Sequence, residues 1–161
     1  MCGIVGIIGH IKDEDINWLN KAAFNLKHRG PDAGCSWIAP ARNAIFAHRR
    51  LSIIDTGHGS DQPFVSDDGK LVLVFNGEIY NYLELRDKLI SLGESFRTQG
   101  DTEVLLASYR RWGRDCLDHL NGMYAFAIWD QRRGVGRECL FVARDRSGEK
   151  PFYYRHEAGR F

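Results

Sequence analysis

Short apolar runs and helically spaced apolar positions alternate along the chain, and they predict its secondary structure. The stretch over residues 3–9 is apolar apart from three glycines, which predicts a buried strand. Over residues 15–27 the apolar side chains recur every three or four positions. This spacing predicts a helix that Gly30-Pro31-Asp32 terminates. The same spacing predicts helices over residues 82–92 and 102–112, each closed by a glycine.

The remaining elements are predicted as strands from their β-branched and aromatic residues. They cover residues 35–39, 44–54, 71–75, 123–129, 140–143 and 151–154. Strict alternation of strand and helix is missing. The pattern therefore favours an α+β fold with largely antiparallel sheets over a doubly wound parallel sheet. Residues 159–161 resemble the beginning of a further strand, so the last strand of this pattern is expected to be incomplete.

Length and composition are typical of a soluble globular domain. The chain has 161 residues, of which 43% are hydrophobic and 27% charged, enough to bury one core. The net charge of +1 provides no basic field that would attract nucleic acid or an anionic membrane. No apolar run approaches the roughly 20 residues of a membrane span, and no signal peptide is recognisable.

The cysteines and histidines predict neither a metal site nor a redox pair. The four cysteines, at positions 2, 35, 116 and 139, are too far apart for a CxxC motif. Reduced thiols are therefore expected, which indicates a cytoplasmic protein. The six histidines lack metal-ligand spacing, and the chain has neither a dinucleotide fingerprint nor a phosphate-binding loop. The sequence thus predicts no metal and no cofactor in this chain.

Cys2 is the first residue whose chemistry suggests a function. After removal of Met1 it would carry a free α-amino group beside its own thiol, so that one residue supplies a nucleophile and a base. A reference pKa of about 7.7–8.0 suits that amine for accepting a proton at neutral pH. The alternative is a small buried residue at the start of the first strand, and Cys2 alone favours that alternative.

Three further positions each have a structural and a functional interpretation. Asn76-Gly77 follows a strand, so it is either a two-residue hairpin turn or an oxyanion hole made from the Asn amide and the Gly N–H. Arg50 lies in an alternating run, on the face opposite to Arg49, and is either a surface residue or a clamp for a carboxylate. Asp101 precedes a helix and is an N-cap, a partner for a substrate ammonium, or both.

In this order, these residues resemble the class II glutamine amidotransferases, most closely the amidotransferase half of glutamine-dependent asparagine synthetase. The matching segments are MCGIVG at 1–6, HRGPD at 28–32, RLSI at 50–53, NGEIYN at 76–81, GDTE at 100–103, LNGMYAFA at 120–127 and ARDR at 143–146. They cover nearly the whole chain. The first segment also suits the amidotransferases that form glucosamine phosphate and phosphoribosylamine, whereas HRGPD, RLSIID and NGEIYN favour the asparagine synthetase branch.

The resemblance implies a fold and a mechanism. The fold would be the four-layer αββα sandwich of N-terminal nucleophile hydrolases, in agreement with the α+β pattern. Cys2 would attack the side-chain amide of L-glutamine to form a γ-glutamyl thioester, while Asn76 and Gly77 stabilise the oxyanion. Arg50 would bind the substrate α-carboxylate and Asp101 its α-ammonium. The other pocket residues that the resemblance implies are Leu51, Ser52, Ile53, Ile54 and Glu78.

The resemblance also implies a partner. In the family a synthetase domain follows the amidotransferase, binds ATP and Mg, activates aspartate and receives ammonia. The glycine- and serine-rich pyrophosphate loop of that domain is absent here. We therefore expect residues 1–161 to form one amidotransferase domain that stops before its C-terminal end, without the synthetase domain. A synthetase domain or a separate subunit would accept the ammonia, and the oligomeric state stays open, a homodimer included.

Three other functions remain open from the sequence. A related synthetase could amidate a different acceptor, such as a sugar or an antibiotic precursor. The chain could instead be a non-catalytic, truncated module kept for assembly or regulation, although Cys2, Arg50, Asn76 and Asp101 are all present. A hydrolase acting on another amide is disfavoured, because Arg50 and Asp101 suit the two charged groups of a free amino acid.

Overall fold

Two antiparallel β-sheets lie face to face, and helices cover the outer face of each sheet. This computed structural model describes residues 2–54 and 57–161. The described strands are β1 (Gly3–Ile8), β2 (Ala33–Ile38), β3 (Ala44–Arg50), β4 (Phe64–Val65), β5 (Leu71–Ile79), β6 (Gly122–Asp130) and β7 (Cys139–Arg144). The described α-helices are α1 (Asp13–Asn25), α2 (Tyr82–Ser91) and α3 (Asp101–Trp112), with 3-10 turns at His58–Ser60 and Gly113–Asp118.

The first sheet has the strand order β1-β3-β2, and α1 packs on one of its faces. Alternate residues of β1 and β3 face this helix, as the two-residue period of a strand requires. The fully buried side chains of this layer are Ile11, Leu19, Ile45 and Ala47. The first helix is therefore held by its apolar stripe, as the spacing of its residues predicts.

The second sheet has the order β4-β5-β6-β7 and carries α2 and α3 on its outer face. Leu73 and Phe75 of β5 pack there with Phe126 of β6 and with Leu105 of α3. Because both faces of β5 and β6 are covered, their sequences are nearly continuous apolar runs. None of the helices in the described part of the chain is both long enough and apolar enough to cross a membrane.

A third apolar layer fills the space between the sheets. Phe46 of β3 packs there against Val72 and Val74 of β5 and against Ala127 and Trp129 of β6. The order of the layers is helix, sheet, sheet, helix. This confirms the α+β, four-layer αββα architecture that the sequence predicts.

The predicted strands over 44–54 and 151–154 differ from the structure, and the predicted strand 71–75 extends to Ile79 in β5. β3 ends at Arg50 instead of residue 54, because residues 51–54 leave the ladder and turn toward Cys2. Residues 151–154 form no strand, and Tyr153 is 92% exposed. Aromatic residues alone do not make a strand where no ladder partner is available. Pairing does occur at Phe161, which exchanges backbone hydrogen bonds of 2.7 and 3.0 Å with Ile8.

The hairpin interpretation of Asn76-Gly77 is wrong. Both residues lie inside the nine-residue strand β5, opposite Ala125 and Tyr124 of β6. The turn preference of the dipeptide is local, whereas the ladder with β6 spans the full length of both strands. Tertiary pairing therefore overrides the local signal and leaves a polar dipeptide in the middle of a buried strand.

Candidate active site

The register of the first sheet brings Cys2 beside the end of β3. Gly3 pairs with Arg49 in the antiparallel β1–β3 ladder, so the residue before β1 lies next to the residues that follow β3. The N–H of Leu51 donates to Cys2 Sγ at 3.4 Å. Arg29 Nε donates to the Cys2 carbonyl at 3.1 Å. Cys2 is thus fixed through both its side chain and its backbone.

The surroundings of Cys2 determine the protonation of its thiol. Burial raises the pKa of the thiol above its ordinary value, while the N–H that Leu51 donates to Sγ acts in the opposite direction. A neutral thiol is a poor nucleophile, so reaction at neutral pH requires a base beside Cys2. The base suggested by the sequence is the α-amine that loss of Met1 would free. Met1 lies outside the described residues.

Asn76 and Gly77 occupy the second half of β5 and line the same pocket as Cys2. Gly77 has no room for a side chain, because a Cβ there would lie 2.1 Å from the carbonyl oxygen of Met123 on β6. The amide oxygen of Asn76 is buried without a hydrogen-bond partner among residues 2–54 and 57–161. Buried polar groups are nearly always paired in native proteins, so this amide marks a place where a ligand would complete the hydrogen bonding.

The carboxylate of Asp101 faces β5. Helix α3 begins at Asp101 itself, and its N-cap is Gly100 without a side-chain cap, so the N-cap interpretation of Asp101 is wrong by one residue. Asp101 Oδ2 accepts instead the N–H of Ile79 at 3.0 Å. Burial raises the pKa of Asp101 to about 6, against the lowering effect of that hydrogen bond. A buried carboxylate of this kind is stabilised by a cation beside it, which a substrate ammonium would provide.

Arg49 and Arg50 point to opposite faces of β3, as the alternation predicts. Arg49 donates to the Ala23 carbonyl on α1 at 3.2 Å, whereas Arg50 turns toward the pocket. The Arg50 guanidinium donates to Asp61 Oδ1 and to the Gly57 carbonyl, both at 2.7 Å. These two hydrogen bonds orient the guanidinium in the wall of the pocket, where it forms an ion pair with Asp61.

One pocket brings together nearly all of the residues that the sequence singles out. Its lining includes Cys2, Arg50, Leu51, Ile53, Ile54, Asn76, Gly77, Glu78 and Asp101. Ser52 is the exception, because it does not line the pocket and its N–H donates to Asp32 Oδ2 at 2.8 Å. A thiol and an amide therefore share one pocket with a guanidinium and a carboxylate. This set matches the amide, carboxylate and ammonium of a free amino acid that has a side-chain amide.

Comparison with known protein families gives the same result. The family model for the glutamine amidotransferase domain matches residues 1–161. The chain belongs to the glutamine amidotransferase domain family.

Curated relatives of this amidotransferase domain are much longer proteins. It is 39% identical to glutamine-hydrolysing asparagine synthetase 3 of Bacillus subtilis (strain 168), over 100% of this chain and 26% of that protein. It is 41% identical to asparagine synthetase 1 of the same organism, over 96% of this chain and 24% of that protein. Identity to the asparagine synthetase of Asparagus officinalis is 37%, over 95% and 25% of the two chains. The chain spans about a quarter of the length of these relatives.

Solved structures share the fold of the amidotransferase domain. Glutamine phosphoribosylpyrophosphate amidotransferase from B. subtilis, complexed with ADP and GMP, matches 80% of this chain and 35% of its own, with a TM-score of 0.62 and 24% identity. A structure described as the allosteric regulatory enzyme of purine biosynthesis matches 90% of this chain and 37% of its own, with a TM-score of 0.66 and 24% identity. Both likenesses show that these proteins share the fold of this chain.

The amidotransferase pocket also contains residues that the sequence analysis missed. They are Gln62, Phe75, Thr102, Met123 and Lys150. Thr102 and Met123 belong to the matching segments GDTE and LNGMYAFA, so membership of a motif was a usable signal for them. Lys150 follows the ARDR segment closely. Gln62 has no local signal at all, because its importance depends on a strand that lies further along the chain.

The HRGPD segment of the amidotransferase domain supports the site without lining it. Arg29 holds the Cys2 carbonyl, and Asp32 accepts the N–H of Ser52. Gly30 passes so close to β3 that a Cβ would lie 2.4 Å from the Arg49 carbonyl oxygen. Only glycine fits such a close approach of two backbones. The segment therefore fixes the positions of Cys2 and of the chain that follows β3.

A larger concavity of about 810 Å³ opens beside β1. Its lining is mainly apolar and aromatic, and it includes none of the residues that the sequence analysis assigns to the amidotransferase site. Size therefore does not identify the site, whereas the grouping of chemically suitable residues does. Within residues 2–54 and 57–161, no three His, Cys, Asp or Glu side chains are grouped as a metal ion would need.

Proposed function

We propose that this glutamine amidotransferase domain hydrolyses L-glutamine to glutamate and ammonia, with Cys2 as the nucleophile. The observation that carries the proposal is the pocket itself, in which Cys2 shares its walls with Asn76, Gly77, Arg50 and Asp101. Burial raises the pKa of the Cys2 thiol, so the proposed reaction requires the adjacent base that an N-terminal amine supplies.

The first half of the reaction acylates the enzyme. The Cys2 amine takes the proton of the thiol, and the thiolate sulfur forms a bond to the amide carbon of the glutamine side chain. The negative charge passes to the carbonyl oxygen, where the backbone N–H of Gly77 and the side-chain N–H of Asn76 stabilise it. The C–N bond then breaks as the amine returns its proton to the leaving nitrogen. Ammonia departs, and a γ-glutamyl thioester remains on Cys2.

The second half of the reaction releases glutamate. The Cys2 amine takes a proton from water as the oxygen attacks the thioester carbon, and the same oxyanion hole stabilises the charge. The C–S bond breaks, and the sulfur recovers the proton. Arg50 binds the α-carboxylate and Asp101 the α-ammonium in both halves. Neither half needs a metal ion or a nucleotide, so hydrolysis in this domain needs no cofactor.

Substitution of the nucleophile tests this proposal. Cys2→Ala removes the only thiol among the described residues of the pocket and should lower glutamate and ammonia release by at least about 1,000-fold. Cys35→Ala is the matched control, because Cys35 is an exposed free thiol on β2 and should leave turnover unchanged. Retained turnover in Cys2→Ala would exclude Cys2 as the nucleophile.

Mass spectrometry separates processing from chemistry. The chain is treated with an electrophilic glutamine analogue, and its intact mass and peptide map are recorded before and after. Loss of Met1 with a single adduct on Cys2 is the expected result. A free Cys2 that stays unreactive would overturn the proposal in favour of a non-catalytic module, whereas a retained Met1 would locate the failure in processing.

We propose further that the ammonia serves a synthetase domain or subunit, which uses ATP and Mg to amidate aspartate to asparagine. This chain is similar to three curated asparagine synthetases, and that similarity supports aspartate as the acceptor. Free cysteines throughout the chain support a cytoplasmic location. The test supplies amide-labelled glutamine, ATP, Mg and aspartate to this domain together with a synthetase domain. Label in asparagine supports the proposal, and label in a different acceptor product would replace aspartate.

A further inference from the structure

Two side chains from different elements hold the backbone of Phe75, the residue before Asn76. Gln62 Oε1 accepts the Phe75 N–H at 2.6 Å. His48 Nε2 lies 3.0 Å from the Phe75 carbonyl oxygen and donates to it, since a carbonyl can only accept. Gln62 is 5% and His48 1% exposed, so water does not compete for either hydrogen bond.

These side chains take the place of a missing strand partner. β4 pairs with β5 only at Phe64–Leu73 and Val65–Val72. Extending that antiparallel register by two residues brings Gln62 opposite Phe75. At this point the side chain of Gln62, instead of its backbone, accepts the Phe75 N–H of β5. The hydrogen bonds of Phe75 therefore depend on the identity of two side chains.

The clamp on Phe75 also determines where the Gly77 N–H points. Along a strand, backbone groups two residues apart face the same side. The N–H groups of Phe75, Gly77 and Ile79 therefore all face away from β6. Gln62 fixes the first of them and Asp101 the third, at 2.6 and 3.0 Å. The Gly77 N–H lies between these two fixed points and faces the pocket that Gly77 lines.

We propose that Gln62 and His48 are positioning residues that align the oxyanion hole by clamping the Phe75 peptide. This inference rests on the proposed glutamine hydrolysis. Gln62 Nε2 also donates at 3.4 Å to Oγ1 of Thr102, which is the residue after Asp101. His48 lies on β3, two residues before Arg50. The clamp thus connects the oxyanion strand with both elements that carry the groups for the charged end of glutamine.

The test compares variants that break and keep each hydrogen bond. Gln62→Met and His48→Leu remove the acceptor and the donor with little change of volume. Each should lower kcat for glutamine hydrolysis about 10–100-fold, somewhat less than complete removal of an oxyanion donor, with KM within about threefold. His48→Gln places an amide N–H where Nε2 lies. It should keep kcat within about threefold of wild type, because Nδ1 of His48 has no partner to lose among the described residues.

Ser66→Ala is the matched control, because Ser66 follows β4 and its side chain also binds the backbone of β5. Ser66 Oγ accepts the Leu71 N–H at 2.9 Å, so it is another buried side chain that satisfies the backbone of β5, at the end far from the pocket. This variant should unfold at a lower urea concentration and keep the kcat of wild type. A fall in kcat equal to that of Gln62→Met would attribute the effect to general loosening of β5 and overturn the inference.

The outcomes separate this inference from the function on which it rests. Turnover is expressed per folded site, counted by alkylation of Cys2. Absence of hydrolysis in wild type contradicts the proposed function. An active wild type with unchanged kcat in Gln62→Met and His48→Leu contradicts the positioning role alone. If one variant fails to fold, the other decides, and failure of both to fold shows that the contacts serve the fold instead of the oxyanion hole.

Discussion

Asp101 shows how opposing effects on one residue set the chemistry of a binding group. Burial alone destabilises its carboxylate, while the N–H of Ile79 stabilises it, and the pKa of Asp101 settles at about 6. The group is therefore ionised at neutral pH with only a small margin. A substrate ammonium in the same pocket would favour the charged form further.

The pH dependence of glutamine hydrolysis should reveal this margin. Only ionised Asp101 attracts the ammonium of glutamine, and kcat/KM follows the ionisation of the free enzyme. With a pKa of about 6, protonation of Asp101 should add an inflection near pH 6, below which kcat/KM falls by a further factor of about ten per pH unit. The measurement is kcat/KM for glutamine between pH 4.5 and pH 8, in steps of about 0.5.

Asp101→Asn is the control for that pH profile. It keeps the size of the side chain but cannot ionise, so kcat/KM should be about 100-fold lower at pH 7. The inflection that belongs to Asp101 should also disappear. An inflection near pH 6 that is unchanged in Asp101→Asn would assign it to another group and remove Asp101 from substrate binding.

At the scale of elements, β5 combines two tasks that usually belong to different segments. Its first half, Leu71–Phe75, is buried between the apolar layers on both sides. Its second half carries Asn76, Gly77 and Glu78 into the pocket while still paired with β6. A site on a central strand is positioned more rigidly than a site on a loop. The proposed oxyanion hole therefore depends on the strand pairing itself.

Gly77→Ala should damage both the pairing and the site. The added Cβ would meet the Met123 carbonyl oxygen at 2.1 Å, so β5 and β6 must separate locally. We expect a loss of about 1–3 kcal/mol in the free energy of unfolding, as for overpacked cores. We also expect kcat to fall about 100-fold, because the Gly77 N–H moves away from the oxyanion. Urea unfolding and steady-state kinetics measure the two effects.

Gly59→Ala is the control for this prediction. Among the described residues, a Cβ on Gly59 would meet only the Thr98 methyl group, at an ordinary 3.4 Å. Stability and turnover should therefore both stay close to those of wild type. Equal losses in Gly59→Ala and Gly77→Ala would contradict the steric explanation.

At the scale of the whole molecule, the pocket exists because the two sheets pack face to face in one fixed orientation. Cys2 directly precedes β1 and Arg50 ends β3 of the first sheet, whereas Asn76 and Gly77 lie on β5 of the second. The apolar layer around Phe46 sets the distance between the sheets. Nothing in either sheet by itself contains a complete pocket. Packing between the sheets is therefore a requirement of the chemistry as well as of the fold.

Phe46→Ala should test how much this layer stabilises the molecule. Phe46 is 2% exposed and stacks on Trp37 at a ring distance of 6.2 Å. Its truncation should lower the free energy of unfolding by about 3–5 kcal/mol. Phe24→Ala removes the same atoms from a side chain that is 66% exposed on α1, and should change stability by less than about 0.5 kcal/mol. Similar urea midpoints for the two variants would contradict the role assigned to the layer.

The sequence by itself determined the elements that depend on local order. The helices over 82–92 and 102–112 and the strand at the N-terminus agree with the structure, because a period of apolar residues and a closing glycine are local features. Gly93 and Gly113 do adopt positive φ angles of 93° and 60°. Cys2, Arg50, Asn76 and Asp101 could be named from the order of their motifs, and the pocket contains all four.

Only the tertiary structure decided what depends on pairing between distant segments. Asn-Gly locally favours a hairpin turn, and only its pairing with β6 keeps it in a strand. Residues 51–54 read as a continuation of β3, yet the chain leaves the ladder there and lies along Cys2. Gln62 and His48 matter because they meet at Phe75. Contacts of this kind join residues that are far apart in the chain, and no local pattern of side chains encodes them.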